Sequence, residues 1–445
     1  MGNRPLSEKP TSVFLQTYGC QMNIADSHTV ETILSDAGFL VTDTLEDADV
    51  ILVNTCAVRE SAEERALGQL ASLSRLKTET PTKIIGVLGC IPQELKDELA
   101  PRLPFLDLAV GPDEYRQLPY LIEERLSSAP GGRAHIATTL HRHELYDDIV
   151  PHHAGAVTAF VTIMRGCDKF CSFCVVPYVR GRERSRPLPS IIAEVEQLVS
   201  KGAREVMLLG QNVDAYEWES RTFADCLEAV AAVEGLERVR FLTSHPQDIR
   251  ADIFEVMRAN GKICRYLHLP VQSGSNRILA LMNRGYTRER YLEIIDTARQ
   301  MVPGLALSTD IIVGFPSETE AEFEETLDLV RQVRFDSAFM FKYSPRPHTK
   351  AAGMPDDVPE INKIRRLETL ISLQKQISRE RNLAQLGRVD EVLIEGISPK
   401  DDEFWFGRTP DFRPVVFAQN GKVVGQRVRV KLAQLRGFTF LGQPA

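Results

Sequence analysis

Short apolar runs rich in β-branched residues recur through the first part of the chain: VFLQT at 13–17, VILVN at 50–54 and IIGVL at 84–88. Runs of this length, apolar on both faces, predict buried strands of a parallel sheet. Between them the pattern turns helical. Asp26 stands where it can cap a helix running through His28 to Leu34, and the stretch from Glu60 to Leu76 also reads as helix. The alternation predicts an open parallel α/β sheet over residues 11–127. A second series of apolar runs lies at 157–164, 205–210, 238–243, 265–271, 305–313 and 337–343, separated by amphipathic stretches such as Ile191 to Lys201 and Arg288 to Gln300. Six such units predict a partial (β/α)6 barrel rather than a complete eightfold one. A basic helical stretch from Asn362 to Leu386 follows. Beyond it VLIEGI, FWFGR, PVVFAQ and VGQRVRVKLA, broken by Gly and Pro, predict a small β-barrel. The expected division is 11–127, a linker at 128–156, 157–386 and 387–445.

Composition changes this picture in two places. The chain of 445 residues has no apolar run long enough to cross a bilayer, and its start, MGNRPLSEKP, lacks the apolar stretch of a secretory signal. A cytoplasmic protein is therefore expected, in which eight cysteines point to metal or catalysis rather than disulfides. The formal charge of −8 argues against nonspecific nucleic-acid binding, but phosphate contacts depend on local field and not on the total. Five of the nine histidines (135, 141, 143, 152 and 153) fall in the expected linker. Their spacing fits neither one helical face nor a known metal site, and the stretch reads as a solvated connection.

Cys167, Cys171 and Cys174 lie in MRGCDKFCSFCVVPY, on a loop directly after a predicted strand. Such loops build the sites of α/β barrels. A structural zinc site needs four closed ligands, and no fourth Cys or His is near. Three thiolates on a four-iron cube leave one iron open. Cys20, Cys56 and Cys90 each fall just beyond a predicted strand, after VFLQTYG, VILVNT and IIGVLG. Ligands of open α/β sheets converge at that edge, so these three predict a second open cluster. Cys226 and Cys264 have no partner in either set and read as buried, inert thiols.

The CxxxCxxC motif, with Phe173 before its last Cys, resembles the radical S-adenosylmethionine superfamily. TYGCQMNIADS, NTCAVRESAEERA, MRGCDKFCSFCVVPYVRGRERSR, LLGQNVDAY, TSHP, LHLPVQSGSNRIL, DIIVGFPSET and YSPRPHTKAA extend the match to the methylthiotransferase family. Within it the QMN after Cys20, the PYVRGRERSR run and GQNVDAY are most similar to the branch acting on isopentenylated adenosine of tRNA. The branches acting on threonylcarbamoyl-adenosine or on ribosomal protein S12 look less alike around the first and fourth cysteines. The resemblance implies methylthiolation at C2 of N6-isopentenyladenosine at tRNA position 37, beside the anticodon. It implies two 4Fe–4S clusters and two molecules of S-adenosylmethionine per turnover. No catalytic side chain is implied beyond the six ligand cysteines, since general acid–base catalysis is inadequate for an aromatic C–H. As partners it implies the tRNA anticodon stem-loop, an electron donor such as flavodoxin or ferredoxin, and a sulfur source, around a monomer. Phe173 would lie beside the adenine of the cofactor. Gly210, Gln211, Ser244, Gln272, Ser273 and Asp310, near predicted strand ends, are candidate cofactor contacts. His348 stands where the family commonly has Gly, and Phe412 where Asn is frequent.

For RNA, Arg180, Arg182, Arg184 and Arg186 alternate, and an extended segment would put them on one face for phosphate. The last 59 residues resemble a TRAM domain, a small RNA-binding barrel. There Phe404, Trp405, Phe406, Arg408 and Arg413 are candidates to stack on splayed bases, with at least one aromatic pointing inward. Two other readings stand beside this one: a radical enzyme with another substrate, and a nonenzymatic cluster- or zinc-bearing RNA-binding module.

Overall fold

The computed structural model describes residues 10–57, 60–129, 132–151, 155–419 and 421–445, with backbone only at 60–62. The described chain divides into two compact units. One is Met1–His152 with Arg165–Asp168 and Cys174–Arg184; the other is His153–Met164 with Lys169–Phe173 and Ser185–Ala445.

The first unit is built on a six-stranded sheet: β1 (Ser12–Thr17), β2 (Leu40–Thr42), β3 (Val50–Thr55), β4 (Ile84–Gly89), β5 (Leu108–Val110) and β6 (His135–Ala137). All pairings are parallel, in the order β2-β1-β3-β4-β5-β6. The three expected strands are its centre, and β3 and β4 are buried at every position. Two apolar clusters, one around Val30, Leu52 and Tyr115 and another around Val53, Leu70 and Ile85, form its core. The order reverses direction at β1, so a switch point opens beside β1 and β3 at their carboxyl ends. Helix α1 (Gln21–Asp36) follows β1, α2 (Glu60–Glu79) follows β3, and α3 (Cys90–Leu95) follows β4.

Two expectations change here. The stretch read as a solvated linker belongs in part to this unit: β6 lies within it, and Tyr146 is buried against Tyr115, the ring centroids 5.9 Å apart. A three-residue strand is too short to show a period, which is why composition alone suggested a loop. His152 and His153 lie outside the described residues. Asp26 is not a cap. Helix α1 begins at Gln21 with Cys20 as its N-cap, which leaves Asp26 fully buried in the helix interior.

The second unit carries six parallel strands in two groups of three. Thr158–Thr162, Glu205–Leu209 and Arg238–Phe241 form one; Tyr266–His268, Ala306–Val313 and Ser337–Lys342 form the other. An isolated parallel bridge from Val239 to Ile263 links the groups into an open arc. Among the described residues the first and last strands do not pair, as a partial (β/α)6 barrel requires. Helix Glu360–Leu383 precedes a closed five-stranded barrel in the order Val389–Ser398, Asp401–Arg408, Pro414–Ala418, Thr439–Pro444, Arg427–Arg436. The barrel docks on the arc through its loop 409–413. Arg240 donates to the carbonyls of Thr409 and Pro410 at 2.8 and 3.0 Å, and Arg238 to those of Arg408 and Glu391 at 2.7 and 2.6 Å. Among the described residues no helix is long and apolar enough to cross a membrane.

Candidate functional sites

At the carboxyl edge of the first sheet, Cys20 sits three residues beyond β1, Cys56 directly after β3, and Cys90 directly after β4. Gly19 and Gly89 precede two of them at φ +148° and +91°. A side chain at Gly19 would run into Asn23 and the Cys56 Cβ at 2.5 and 2.7 Å; one at Gly89 would meet Thr55 and Asn54. The close approach of these turns is what brings the cysteines together. A buried amide pair locks it. Asn23 accepts from the Cys20 N–H (3.3 Å) and donates to the Thr55 carbonyl (2.9 Å); Asn54 donates to the Asn23 carbonyl and to Ser27 Oγ, both at 2.9 Å. The bonds to Thr55, Asn23 and Ser27 are buried, so losing one partner there leaves a polar group unsatisfied at a cost of about 1–3 kcal/mol.

The Cys20 thiol is lowered to about 6, first by a hydrogen bond with Cys56 and further by the Arg180 charge, against the opposing effect of burial. Burial raises Cys90, although Arg180 pulls it down. Val175, Val179 and Ala57 cover Cys90 with apolar surface. Three soft thiol donors at one edge suit an iron–sulfur group, which Cys20, Cys56 and Cys90 would hold. Among the described residues no three His, Cys, Asp or Glu side chains are grouped to hold a single ion.

Of the second set, Cys167 and Cys174 belong to the first unit and Cys171 to the second. The Cys167 N–H donates to the Gly181 carbonyl at 3.1 Å. Cys171 is buried, and Arg284 Nη1 lies 3.2 Å from its sulfur. Arg284 also donates to the Pro270 carbonyl and to Tyr286 Oη, each at 2.9 Å. Phe173 is half-buried against Ile278, Met282 and Phe315. Cys226 and Cys264 are buried and free, and burial pushes them up to about 12 and about 11.

The carboxyl ends of the second unit's strands gather several polar groups. Gly210 lies against Met164, which a side chain there would strike at 2.5 Å. Ser244 Oγ donates to Asp214 Oδ1 (3.1 Å) and the His245 N–H to Oδ2 (2.9 Å). Burial raises Asp214 to about 7 despite those two bonds and lowers His245 to about 2. Gln272 holds φ +71° and keeps Oε1 buried without a hydrogen bond, as Asp310 keeps Oδ1. Such orphans beside a strained backbone mark a place built for a ligand. Ser273 differs: its Oγ accepts from the Ser275 N–H at 3.2 Å and meets Thr326 at 3.4 Å, a loop-holding role. Gln211 is half-buried after the strand Glu205–Leu209. Asn212, Lys169 and Asp248 were not foreseen. Asp248 takes 2.5 Å bonds from both Lys169 and Asn212, and only the GQN run hinted at one of them.

The arginine expectation needs correction. The segment is not extended throughout: the chain turns at Gly181 (φ +75°), and only Arg184–Ser185 within it is a strand. Arg180 is buried against Asp26, Arg184 pairs with Asp113 (both 2.8 Å), and Arg186 is buried against Glu194 at 2.5 Å. Only Arg182 is exposed, with Asp168 at 2.7 Å. Arg413 is likewise internal, held by Asp336, Asp411 and Asn382. Arg408 pairs with Glu395 and lies over the Phe406 and Phe412 rings. Trp405 is half-buried against the barrel core. The barrel's exposed basic face is Arg427, Arg429 and Lys431, legible in the R-V-R-V-K alternation. His348 and Phe412 both hold positive φ (64° and 68°), where Gly and Asn are favoured. Phe412 offsets this by packing on Tyr266, at 4.7 Å.

Comparison with known proteins agrees with this layout. Family models match residues 161–330 (Radical SAM superfamily), 12–111 (Uncharacterized protein family UPF0004) and 383–444 (TRAM domain). The tRNA-2-methylthio-N(6)-dimethylallyladenosine synthase of Parabacteroides distasonis is 46% identical over 97% of this chain and 95% of its own. The protein of that name from Chloroherpeton thalassium is also 46% identical, over 97% and 95%. Among solved structures the radical S-adenosylmethionine methyltransferase TsrM from Kitasatospora setae shares the fold, with TM-score 0.58 over 77% of this chain and 74% of that one, at 15% identity. The chain thus belongs to the family of tRNA-2-methylthio-N(6)-dimethylallyladenosine synthases, transferases of the radical S-adenosylmethionine superfamily that work through iron–sulfur and S-adenosylmethionine chemistry.

Proposed function

We propose that this enzyme places a methylthio group on C2 of N6-isopentenyladenosine at position 37 of tRNA, using two clusters and two molecules of S-adenosylmethionine. The observation that carries the two-cluster reading is the gathering of Cys20, Cys56 and Cys90 at the carboxyl edge of one sheet, with the Cys56 side chain against the Gly19 turn that precedes Cys20. Each set of three thiols would hold a cluster, and the chemistry supplied by the bound groups would be radical generation from S-adenosylmethionine at one set and sulfur transfer at the other. In this reading Cys167, Cys171 and Cys174 hold the radical-generating cluster, and Arg284 fixes Cys171. Asn23 and Asn54 keep the sulfur-transfer thiols in register. Gly210, Gln272 and Asp310 line the cofactor's place, with Asn212 and His245 offering further unpartnered polar atoms. The barrel grips the anticodon stem-loop through Arg429 and Lys431, whose exposed alternation suits phosphate contacts. An external electron donor and a sulfur source complete the cycle, in the cytoplasm.

Mass spectrometry of tRNA nucleosides from cells with and without the gene tests the substrate. The expected result is loss of the 2-methylthio nucleoside and accumulation of N6-isopentenyladenosine. Loss of a methylthiolated threonylcarbamoyl nucleoside instead would overturn it.

A further inference from the structure

Buried charge beside the first thiol set does not balance within the protein groups that pair directly. Asp26, fully buried in α1, takes Arg165 Nη2 on Oδ1 and faces Arg180 Nη2 from Oδ2, each at 2.8 Å. Two guanidiniums thus share one carboxylate, and both are almost wholly buried. Arg165 has a second support, the face of the Tyr146 ring at 4.8 Å. Arg180 has none of that kind, and its Nη1 is buried without a hydrogen-bond acceptor. Its position is nonetheless fixed. The Arg180 carbonyl accepts from Arg184 Nη2 at 2.9 Å, and Arg184 is anchored on Asp113. Val179, next to Arg180 in the chain, packs on Cys90.

A buried, incompletely paired guanidinium carries a large desolvation cost, so something must offset it. Besides Asp26, the groups with which its charge interacts most are Cys90, Tyr115 and Cys20. Burial keeps the Tyr115 phenol protonated, which leaves the two thiols. We propose that Arg180 is the counter-charge of the Cys20/Cys56/Cys90 set, a positioning residue that balances these thiolates when they ligate iron, with Asp26 attenuating its charge. The inference rests on the assignment of these cysteines as cluster ligands. A cation near a cluster favours its more negative, reduced form, so the two residues act on its potential with opposite sign.

The experiment uses full-length protein carrying Cys167→Ala, Cys171→Ala and Cys174→Ala, reconstituted anaerobically with iron and sulfide. Iron per chain and the midpoint potential, followed by electron paramagnetic resonance, are read for this parent and for Arg180→Gln, Arg180→Lys and Asp26→Asn. The expected result is a shift to lower potential in Arg180→Gln, a shift to higher potential in Asp26→Asn, and a value near the parent in Arg180→Lys. Should Arg180→Gln not fold, the sign of the Asp26→Asn shift decides. Shifts of the same sign, or none, in chains that hold a cluster overturn the role of Arg180 and leave the ligands standing. A parent that takes up no cluster overturns the ligand assignment, and the inference with it.

Discussion

Cys20, Cys56 and Cys90 are gathered from the ends of three strands, whereas Cys167, Cys171 and Cys174 stand on one short loop. The spread set depends on long-range polar contacts: Asn23 and Asn54 join the start of α1 to the end of β3, and two tight glycine turns bring the backbones close. The compact set needs little of this, since its spacing already holds three thiols on one segment. Each set has a buried arginine, but the two arginines are treated differently. Arg284 finds acceptors for Nε, Nη1 and Nη2, one of them the Cys171 sulfur. Arg180 is left with an open donor beside thiols it does not bond. The difference teaches that a set assembled by tertiary structure can carry its charge balance in reserve, while a loop set is tied directly to its neighbours.

Removing Arg284 should break the compact set's support most severely. Arg284→Met removes the donor to the Cys171 sulfur and leaves the Pro270 carbonyl with only the 3.2 Å bond from Tyr286 Oη, with an expected loss of about 3 kcal/mol in denaturant unfolding of the second unit. The spread set should be left intact, read as retained iron on Cys20, Cys56 and Cys90.

A second contrast is in pH. Asp214, buried near the strand ends of the second unit, has its carboxyl raised from 3.8 to about 7. The folded state therefore binds a proton that the unfolded state releases between these values, so its contribution to stability falls as pH rises from about 4 to about 7 and is level on either side. Asp214→Asn should remove that slope. Measured against wild type by urea titration, its relative stability should rise across the same window, by an amount on the order of a few kcal/mol.

Asn23→Ala sharpens the other side of the comparison with a smaller effect. It deletes the acceptor of the Cys20 N–H and the donor to Thr55, for an expected loss of about 2 kcal/mol. Iron retention by the spread set should fall, while cofactor cleavage at the compact set continues.

What could be read in the sequence follows the same division. The strand ends that place Cys20, Cys56 and Cys90 were legible because each cysteine directly follows an apolar run or its turn. The amide pair was not, since Asn23 and Asn54 meet across 31 residues and neither breaks a local pattern. The alternating arginines misled for a physical reason. A spacing of two shares a face only in extended backbone, and the chain turns at Gly181 (φ +75°) between Arg180, which faces inward to Asp26, and the short strand at Arg184–Ser185. The barrel's cationic strand was readable on that same rule, because Arg427–Arg436 is extended and its valines are buried. The loop 409–413 was not, as its Arg413 and Phe412 take their meaning from docking on Asp336 and Tyr266.

The division of labour between the two thiol sets is tested most directly by Cys56→Ala in the reconstituted enzyme, with S-adenosylmethionine, a reductant and isopentenylated tRNA. Formation of 5′-deoxyadenosine and of methylthiolated nucleoside are measured in the same reaction. The account predicts that cofactor cleavage persists while methylthiolation is abolished. Loss of both products in a chain that keeps its fold and its remaining iron, or retention of methylthiolation, would contradict it.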